Sequence, residues 1–464
     1  MPKFAGALTR HPARVSFFWF AGVIALGTVL LTLPISRGPR ATAEQRPISI
    51  LDACFTSTSS VCVTGLAVRS TGYDFSFIGQ VIIAGLVQVG GIGIMTVTTF
   101  VTFTLGGREN LRHRAVIAET LGAGADTDPR WVLRGVLLTT LIAESVGALV
   151  LGVNFWLRYD FPLGKAAWYG VFHSVTAFCN AGFGLDDDNL IPYQGDPVVN
   201  LTIIGLIVFG GIGFPVVLDW HRNRKYELRD RWNHMLLHSK LMCVGTAALL
   251  LIGTLAFLAL EWDGVLQEMP LGRKLLVSLF QSTTPRTAGF NTVDYSKLTS
   301  ATLFITILLM LIGAGPCSTG GGFKVSTFMV LVARSWTTFR GYSKVQLFRR
   351  SIPEQLVDRA VATALLFTIV AVIGLTAVLV VEQSATRQGP GSSFFLDAAF
   401  ECVSALGTVG LSTGLTTKLN SLGRIVIIVL MFLGRLGPFT VFLALARSER
   451  EQSISYAAEE PLVG

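Results

Sequence analysis

Eight apolar runs constrain this chain more than any other feature. They lie near residues 15–34, 77–105, 131–157, 198–219, 236–260, 300–333, 357–381 and 421–446. Each can cross a hydrocarbon core of about 30 Å, which takes about 20 helical residues. A bilayer admits only helices and closed barrels, because every backbone polar group must find its partner within the protein. Runs of this length therefore predict helices. The rest of the chain offers no soluble alternative: 51% of the 464 residues are hydrophobic and 14% charged, against about 25% charged in soluble domains. The expected class is an all-α polytopic membrane protein. A soluble enzyme, a secreted disulfide scaffold and a disordered chain are excluded.

The six cysteines (Cys54, Cys62, Cys179, Cys243, Cys317, Cys402) show no Cys-x-x-Cys spacing, and the six histidines no His-Glu-x-x-His. Free thiols and no metal-ligating cluster are expected. The first run is followed by Arg37 and Arg40 without a clear cleavage site, so it reads as a retained span. Basic residues set the orientation. Arg108, Arg112, Arg114 and Arg130 follow the second run. Arg222, Arg224, Lys225, Arg229 and Arg231 follow the fourth. Arg334, Arg340, Lys344, Arg349 and Arg350 follow the sixth. The opposite connection before the fourth run carries Asp186, Asp187, Asp188 and Asp196. The positive-inside rule then places the basic loops and both termini in the cytoplasm, in a plasma membrane. Arg37, Arg40 and Arg46 run against this trend, but three longer loops agree. The basic loops also suit membrane lipid; no nucleic-acid partner is expected.

The outward connections each hold a weakly apolar stretch of ten to fourteen residues, too short to span, that leads into a glycine-containing strip. The strips are Ser60 to Leu66, Ala177 to Phe183, Thr284 to Phe290 and Ala405 to Leu411, and their glycines 65, 182, 289 and 410 stand 117, 107 and 121 residues apart. A glycine-rich break follows in each next span at Gly90-Gly91, Gly210-Gly211, Gly313 and Gly434, 25, 28, 24 and 24 residues on. One unit of span, half-helix, strip and span, used four times, accounts for both series. The four units are 1–110, 111–225, 226–345 and 346–464. The plainer reading of these glycines is helix packing alone.

Backbone without regular structure is tolerated at membrane depth only where protein or a water-filled cavity satisfies it. A half-helix entering from outside points its partly negative end inward, which favours a cation. Four strips turning carbonyls toward one axis would form rings of oxygens able to replace a hydration shell. Glycine permits such backbone, having no side chain and little φ/ψ restriction. The strips contain no carboxylate, so a monovalent ion suits them better than calcium.

These residues resemble the Trk/Ktr/HKT superfamily of potassium transporters over nearly the whole chain, from about Val15 to Ala446. Val63-Thr64-Gly65, Asn180-Ala181-Gly182, Thr287-Ala288-Gly289 and Thr408-Val409-Gly410 look like its four filter segments, with potassium bound at their oxygens. The segment from Gln88 to Gly93 is also typical. Four glycines, with no serine in the first strip, resemble the potassium-selective pattern. Without extra N-terminal spans, the chain looks like the KtrB-type membrane subunit of Ktr systems. The resemblance implies a homodimer with one pore per protomer, a cytoplasmic ring of nucleotide-binding KtrA-type subunits, and uptake stimulated by sodium. Potassium would be the substrate, sodium an activator, and no catalytic cofactor is expected.

Gly313-Ala314-Gly315-Pro316-Cys317-Ser318-Thr319-Gly320-Gly321-Gly322-Phe323-Lys324 interrupts the sixth run. A continuous helix through the 34 residues of that run would be about 50 Å long, so a break is expected. The resemblance makes this loop a plug below the filter. Arg435 sits mid-run, where a charge costs several kcal/mol (~3 or more) and is usually functional. The resemblance places it beneath the filter as a barrier to cations that holds the loop; a structural pair with Glu144 or Glu401 is the alternative. Glu144 and Glu401 read as braces for the half-helices, and His173 as a hydrogen-bonded core residue. Lys324 is either a gate residue or a snorkelling surface lysine. The chain has no phosphate-binding Gly-x-x-x-x-Gly-Lys-Ser/Thr motif, so any nucleotide dependence would come through a partner. A secondary transporter of another small solute and a sodium-selective relative are the competing functions. An intramembrane enzyme finds no nucleophile or paired-aspartate motif to support it.

Overall fold

The computed structural model describes residues 12–43, 47–105, 129–385 and 392–437. Among these residues the regular structure is almost all helix, with one small hairpin, β1 (Gln346–Leu347) against β2 (Arg350–Ser351). Four helices are long and apolar enough to cross a membrane by length and composition, α1 (Pro12–Thr32), α4 (Pro129–Arg158), α9 (Leu237–Leu260) and α13 (Glu354–Ala385). They are the first spans of the four sequence units.

A short helix follows each first span: α2 (Ile50–Val61), α5 (Leu163–Phe178), α10 (Leu271–Thr283) and α14 (Ser392–Leu406). Their lengths are 12, 16, 13 and 15 residues, so α5 and α14 exceed the expected stretch. Serine links three of these helices to their spans. Ser57 donates to the Ile24 carbonyl at 2.8 Å, Ser174 to the Glu144 carbonyl at 2.7 Å and Ser282 to the Leu250 carbonyl at 2.7 Å. Gly27, Gly147 and Gly253 stand opposite these hydroxyls, where a Cβ would collide with the serine oxygen. A buried hydroxyl needs a partner, and the missing side chain brings one within reach.

The second spans are less regular. α3 (Phe77–Leu105) runs without interruption through Gly90-Gly91, so the break expected there is absent. Gly90 serves close approach instead, since a Cβ would collide with the carbonyl of Val61, the last residue of α2. Gly210 and Gly434 stand in the same relation to Phe178 and Leu406, the last residues of α5 and α14. In the fourth run the break lies at Gly213, three residues beyond Gly210. There φ is +95°, and α6 (Pro197–Ile212) meets α7 (Phe214–Arg222) at 88°. α8 (Leu228–His234) follows. The sixth run splits into α11 (Ser300–Leu311) and α12 (Val325–Phe339), with the expected loop between them. The eighth gives α15 (Ser421–Leu436), ended by Gly437 at φ +79°. Residues 438–446 of that run, with Arg46, Arg108, Arg112 and Arg114, lie outside the described residues.

Capping sets several starts. Ser49 accepts from the Asp52 N–H, Asp196 from Val198 and Val199, and Asn420 from Gly423; each satisfies an amide that the helix itself leaves free. Asp52 is buried and clasped by Arg69 and Arg424, at 2.9 and 2.8 Å. This ties α2 to the start of α15.

Candidate functional site

The four strips share one backbone conformation. Val63, Asn180, Thr287 and Thr408, each two residues before a strip glycine, have φ of +57°, +60°, +63° and +51°. Gly65, Gly182, Gly289 and Gly410 have φ of +98°, +66°, +75° and +93°. Left-handed backbone is rare for a β-branched residue, yet it recurs here at three of the four non-glycine positions. Hydrogen bonds back to the short helices hold it. The N–H groups of Thr64, Ala181 and Val409 donate to the carbonyls five residues earlier, at Ser59, Thr176 and Ser404. Those of Gly65 and Gly410 donate to the hydroxyls of Ser59 and Ser404, at 3.0 and 3.1 Å. In the third strip Ala288 donates to Thr284, and the Thr284 hydroxyl to the Phe290 carbonyl.

Carbonyl oxygens of each strip lie against the glycine of its neighbour. A Cβ at Gly65 would collide with the Ala181 oxygen, one at Gly182 would lie 2.7 Å from the Ala288 oxygen, one at Gly289 would collide with the Val409 oxygen, and one at Gly410 with the Thr64 oxygen. Strip one thus abuts strip two, two abuts three, three abuts four, and four abuts one. The candidate residues of the four strips, more than a hundred residues apart in sequence, form one closed ring.

Side-chain hydrogen bonds brace the segments around it. Glu401 accepts from Ser412, Thr416 and the Thr413 N–H. Gln281 donates to Thr292 at 3.0 Å and accepts from Tyr295. Asp186 accepts from Tyr169 and Tyr193 at 3.0 and 2.9 Å, and the Asn189 amide donates to the Gly182 carbonyl at 3.0 Å. Glu144 accepts from Gln88 at 2.9 Å, and His173 Nδ1 lies 2.8 Å from the Tyr169 carbonyl. Sequence reasoning found Glu144, Glu401 and His173. It missed Gln281, Asp186, Asn189 and the serine–glycine pairs, although Ser57, Ser174 and Ser282 precede their strip glycines at nearly equal distance.

The loop from Gly313 to Lys324 crosses against three strips in turn. The Thr319 hydroxyl donates to the Asn180 side-chain oxygen at 3.2 Å. Added Cβ atoms at Gly320 and Gly321 would collide with the hydroxyls of Thr287 and Thr408. The loop also docks on the α6–α7 elbow. Gly315 and Thr319 donate to the carbonyls of Gly211 and Gly210, and Phe214 donates to that of Cys317. Ser318 closes a turn on the Gly315 carbonyl at 2.7 Å, and Ala314 accepts from the Val325 N–H. A Cβ at Gly213 would lie 2.5 Å from the Pro316 oxygen. Gly313 donates to the Phe323 carbonyl, closing the loop's two ends. Gly322 has φ +67° and lies against the Gly407 carbonyl.

Arg435 is 2% exposed. Its guanidinium donates to the Thr319 carbonyl and, at 2.6 Å, to that of Gly90. Neither Glu144 nor Glu401 pairs with it; its partners are carbonyls. Lys324 does not snorkel to a surface: its ammonium donates to the Gly320 and Gly321 carbonyls at 2.8 and 3.2 Å. Two cations thus face the loop beneath a ring of oxygens.

A family model described as a cation transport protein, TrkH, matches residues 29–456. The Ktr system potassium uptake protein B of Bacillus subtilis is 38% identical over 98% of this chain and 97% of that protein. Its namesake in Vibrio alginolyticus is 36% identical over 97% and 94%. The potassium/sodium uptake protein NtpJ of Enterococcus hirae is 34% identical over 98% and 97%. Among solved structures, the potassium transporter TrkH of Vibrio parahaemolyticus superposes with a TM-score of 0.71, covering 94% of this chain and 84% of that one. At 19% identity, that likeness is one of fold.

Proposed function

This chain belongs to the TrkH family of cation transport proteins, and from that premise we propose that it takes up potassium ions through the ring of strips. The observation that carries the reading is the closed ring, in which each strip glycine abuts the next strip's carbonyl. Carbonyl dipoles can replace the hydration shell of a monovalent ion without holding it too tightly to leave. Val63, Thr64, Asn180, Ala181, Thr287, Ala288, Thr408 and Val409 supply the oxygens, and Gly65, Gly182, Gly289 and Gly410 let the strips approach. The loop from Gly313 to Lys324 is the gate, and Arg435 both holds it and repels cations. Names of relatives support the choice of ion, since two are potassium uptake proteins of Ktr systems.

The finer reading follows the same line. Units 1–110, 111–225, 226–345 and 346–464 surround one central pore in each protomer of a homodimer. A nucleotide-binding ring of KtrA type docks on the cytoplasmic side of the plasma membrane, where both termini lie, and sodium stimulates uptake. The relative named for both ions favours one second reading, in which sodium is also carried.

Potassium and sodium fluxes into liposomes holding the purified chain test this, together with rescue of a host lacking its own potassium uptake. Potassium-dependent rescue and flux that prefers potassium are expected. A correctly inserted chain that neither rescues growth nor passes potassium overturns the proposal.

A further inference from the structure

Asn180 stands apart from the other residues two places before the strip glycines. Val63 is apolar, Thr287 and Thr408 carry hydroxyls, and position 180 alone has an amide, with separate donor and acceptor ends. Its nitrogen lies 3.4 Å from the Thr287 hydroxyl and 3.5 Å from the Arg286 carbonyl oxygen, both in the third strip. A carbonyl can only accept, which sets the nitrogen on that side. The amide oxygen faces the loop, where it accepts from Thr319 at 3.2 Å.

Thr319 is held on every polar atom. Its hydroxyl hydrogen is shared with the Phe178 carbonyl at 3.0 Å, its N–H donates to Gly210 at 3.3 Å, and its carbonyl accepts from Arg435. Asn180 and Thr319 are 1% and 2% exposed. A buried chain of hydrogen bonds therefore runs from Arg435 through Thr319 and Asn180 to Thr287. Among the described residues no other strip side chain hydrogen-bonds the loop. Gly320 and Gly321 meet their threonines by packing, and the Thr408 hydroxyl has no partner.

We infer that Asn180 is a positioning residue through which the loop sets the filter's preference between ions. The inference rests on the reading of the strips as filter and the loop as gate. While Thr319 is docked, the Asn180 amide is fixed at both ends and holds strips two and three in register. When the loop leaves, the amide oxygen loses its partner in a buried site and the side chain must turn to find another. Turning the side chain also releases the Arg286 carbonyl and the Thr287 hydroxyl, so strips two and three lose the contact that sets their register, while hydrogen bonds to the short helices keep the backbone left-handed.

Paired potassium and sodium fluxes in liposomes of the full chain test this. Thr319→Val keeps the shape and removes the hydroxyl. It should lower the potassium-to-sodium ratio roughly two- to tenfold, the effect of one hydrogen bond. Thr319→Ser should return the ratio to that of the natural chain. Asn180→Ala should lower it too, and adding Thr319→Val should lower it no further. If Thr319→Val folds poorly, Thr319→Ala asks the same question. Threonine variants that change total flux at an unchanged ratio overturn the inference and leave the filter reading intact. A natural chain with no preference for potassium in the same liposomes overturns the filter reading first.

Discussion

The ring of strips and the layer beneath it are made from the same four sequence units and obey different rules. In the ring, every unit adopts the same pair of left-handed residues and abuts its neighbour in the same sense. One layer down, each second span behaves differently: α3 continues, α6 turns through 88° into α7, α11 opens into a loop, and α15 carries a buried arginine. If the ring is the filter and the loop the gate, as proposed, the difference has a reason: a shell of oxygens around an ion must be nearly equal on all sides, whereas a barrier can be built from one side. The layers meet where Gly90, Gly210 and Gly434 press on the ends of the short helices. Down to that level three units still match.

The largest effect should come from breaking the ring itself. Gly410→Ala places a methyl on the Thr64 carbonyl at φ +93°. Left-handed backbone alone costs about 1–2 kcal/mol for a side-chain-bearing residue, so potassium flux should fall roughly five- to thirtyfold. Near-natural flux would show that the ring is not the path. A change of opposite sign is expected one layer down. Deleting Ala314 to Gly320 should raise flux about tenfold, and Arg435→Ala should do the same. Because both remove one barrier, the double variant should fall short of the product by an interaction of about 0.5–3 kcal/mol. Unchanged or lower flux in the folded deletion would remove support for the gate.

Where the layers meet, Gly90→Ala, Gly210→Ala and Gly434→Ala should each destabilise the protein by about 1–3 kcal/mol through overpacking. Thermal unfolding in detergent compares them. A harmless Gly90→Ala beside a damaging Gly434→Ala would move the onset of asymmetry up to this contact. The smallest effect should lie outside both layers. Arg40 and Asp187 pair at 3.1 Å with side chains 45% and 41% exposed, so Arg40→Gln should change the unfolding midpoint by no more than about 1 kcal/mol allows.

The sequence revealed the ring better than the layer below it. Strip glycines are legible because few other residues take their backbone, and their even spacing exposes the unit. The left-handed residues two places earlier are not, because valine and threonine normally avoid that region and hydrogen bonds to the short helices impose it. Gly90-Gly91, Gly210-Gly211 and Gly434 look like breaks, yet helix passes through all three. A glycine in an apolar run marks either close approach or a turn, and only the neighbouring backbone decides which. The elbow falls instead at Gly213, where Pro215 follows. The Gly313–Lys324 loop was legible because glycines and Pro316 crowd it; run length alone is no guide, since α13 continues unbroken for 32 residues.

The clasp on Asp52 has a consequence for biosynthesis. Its two arginines are made at very different times: Arg69 follows 17 residues later and Arg424 after 372. At 5–20 residues per second, roughly 20–70 s separate Asp52 from the second partner. Strip one waits just as long for Gly410. The nascent chain therefore holds Asp52 with one of its two arginines and an incomplete ring through most of its translation, and the seam between its earliest and latest helices closes last.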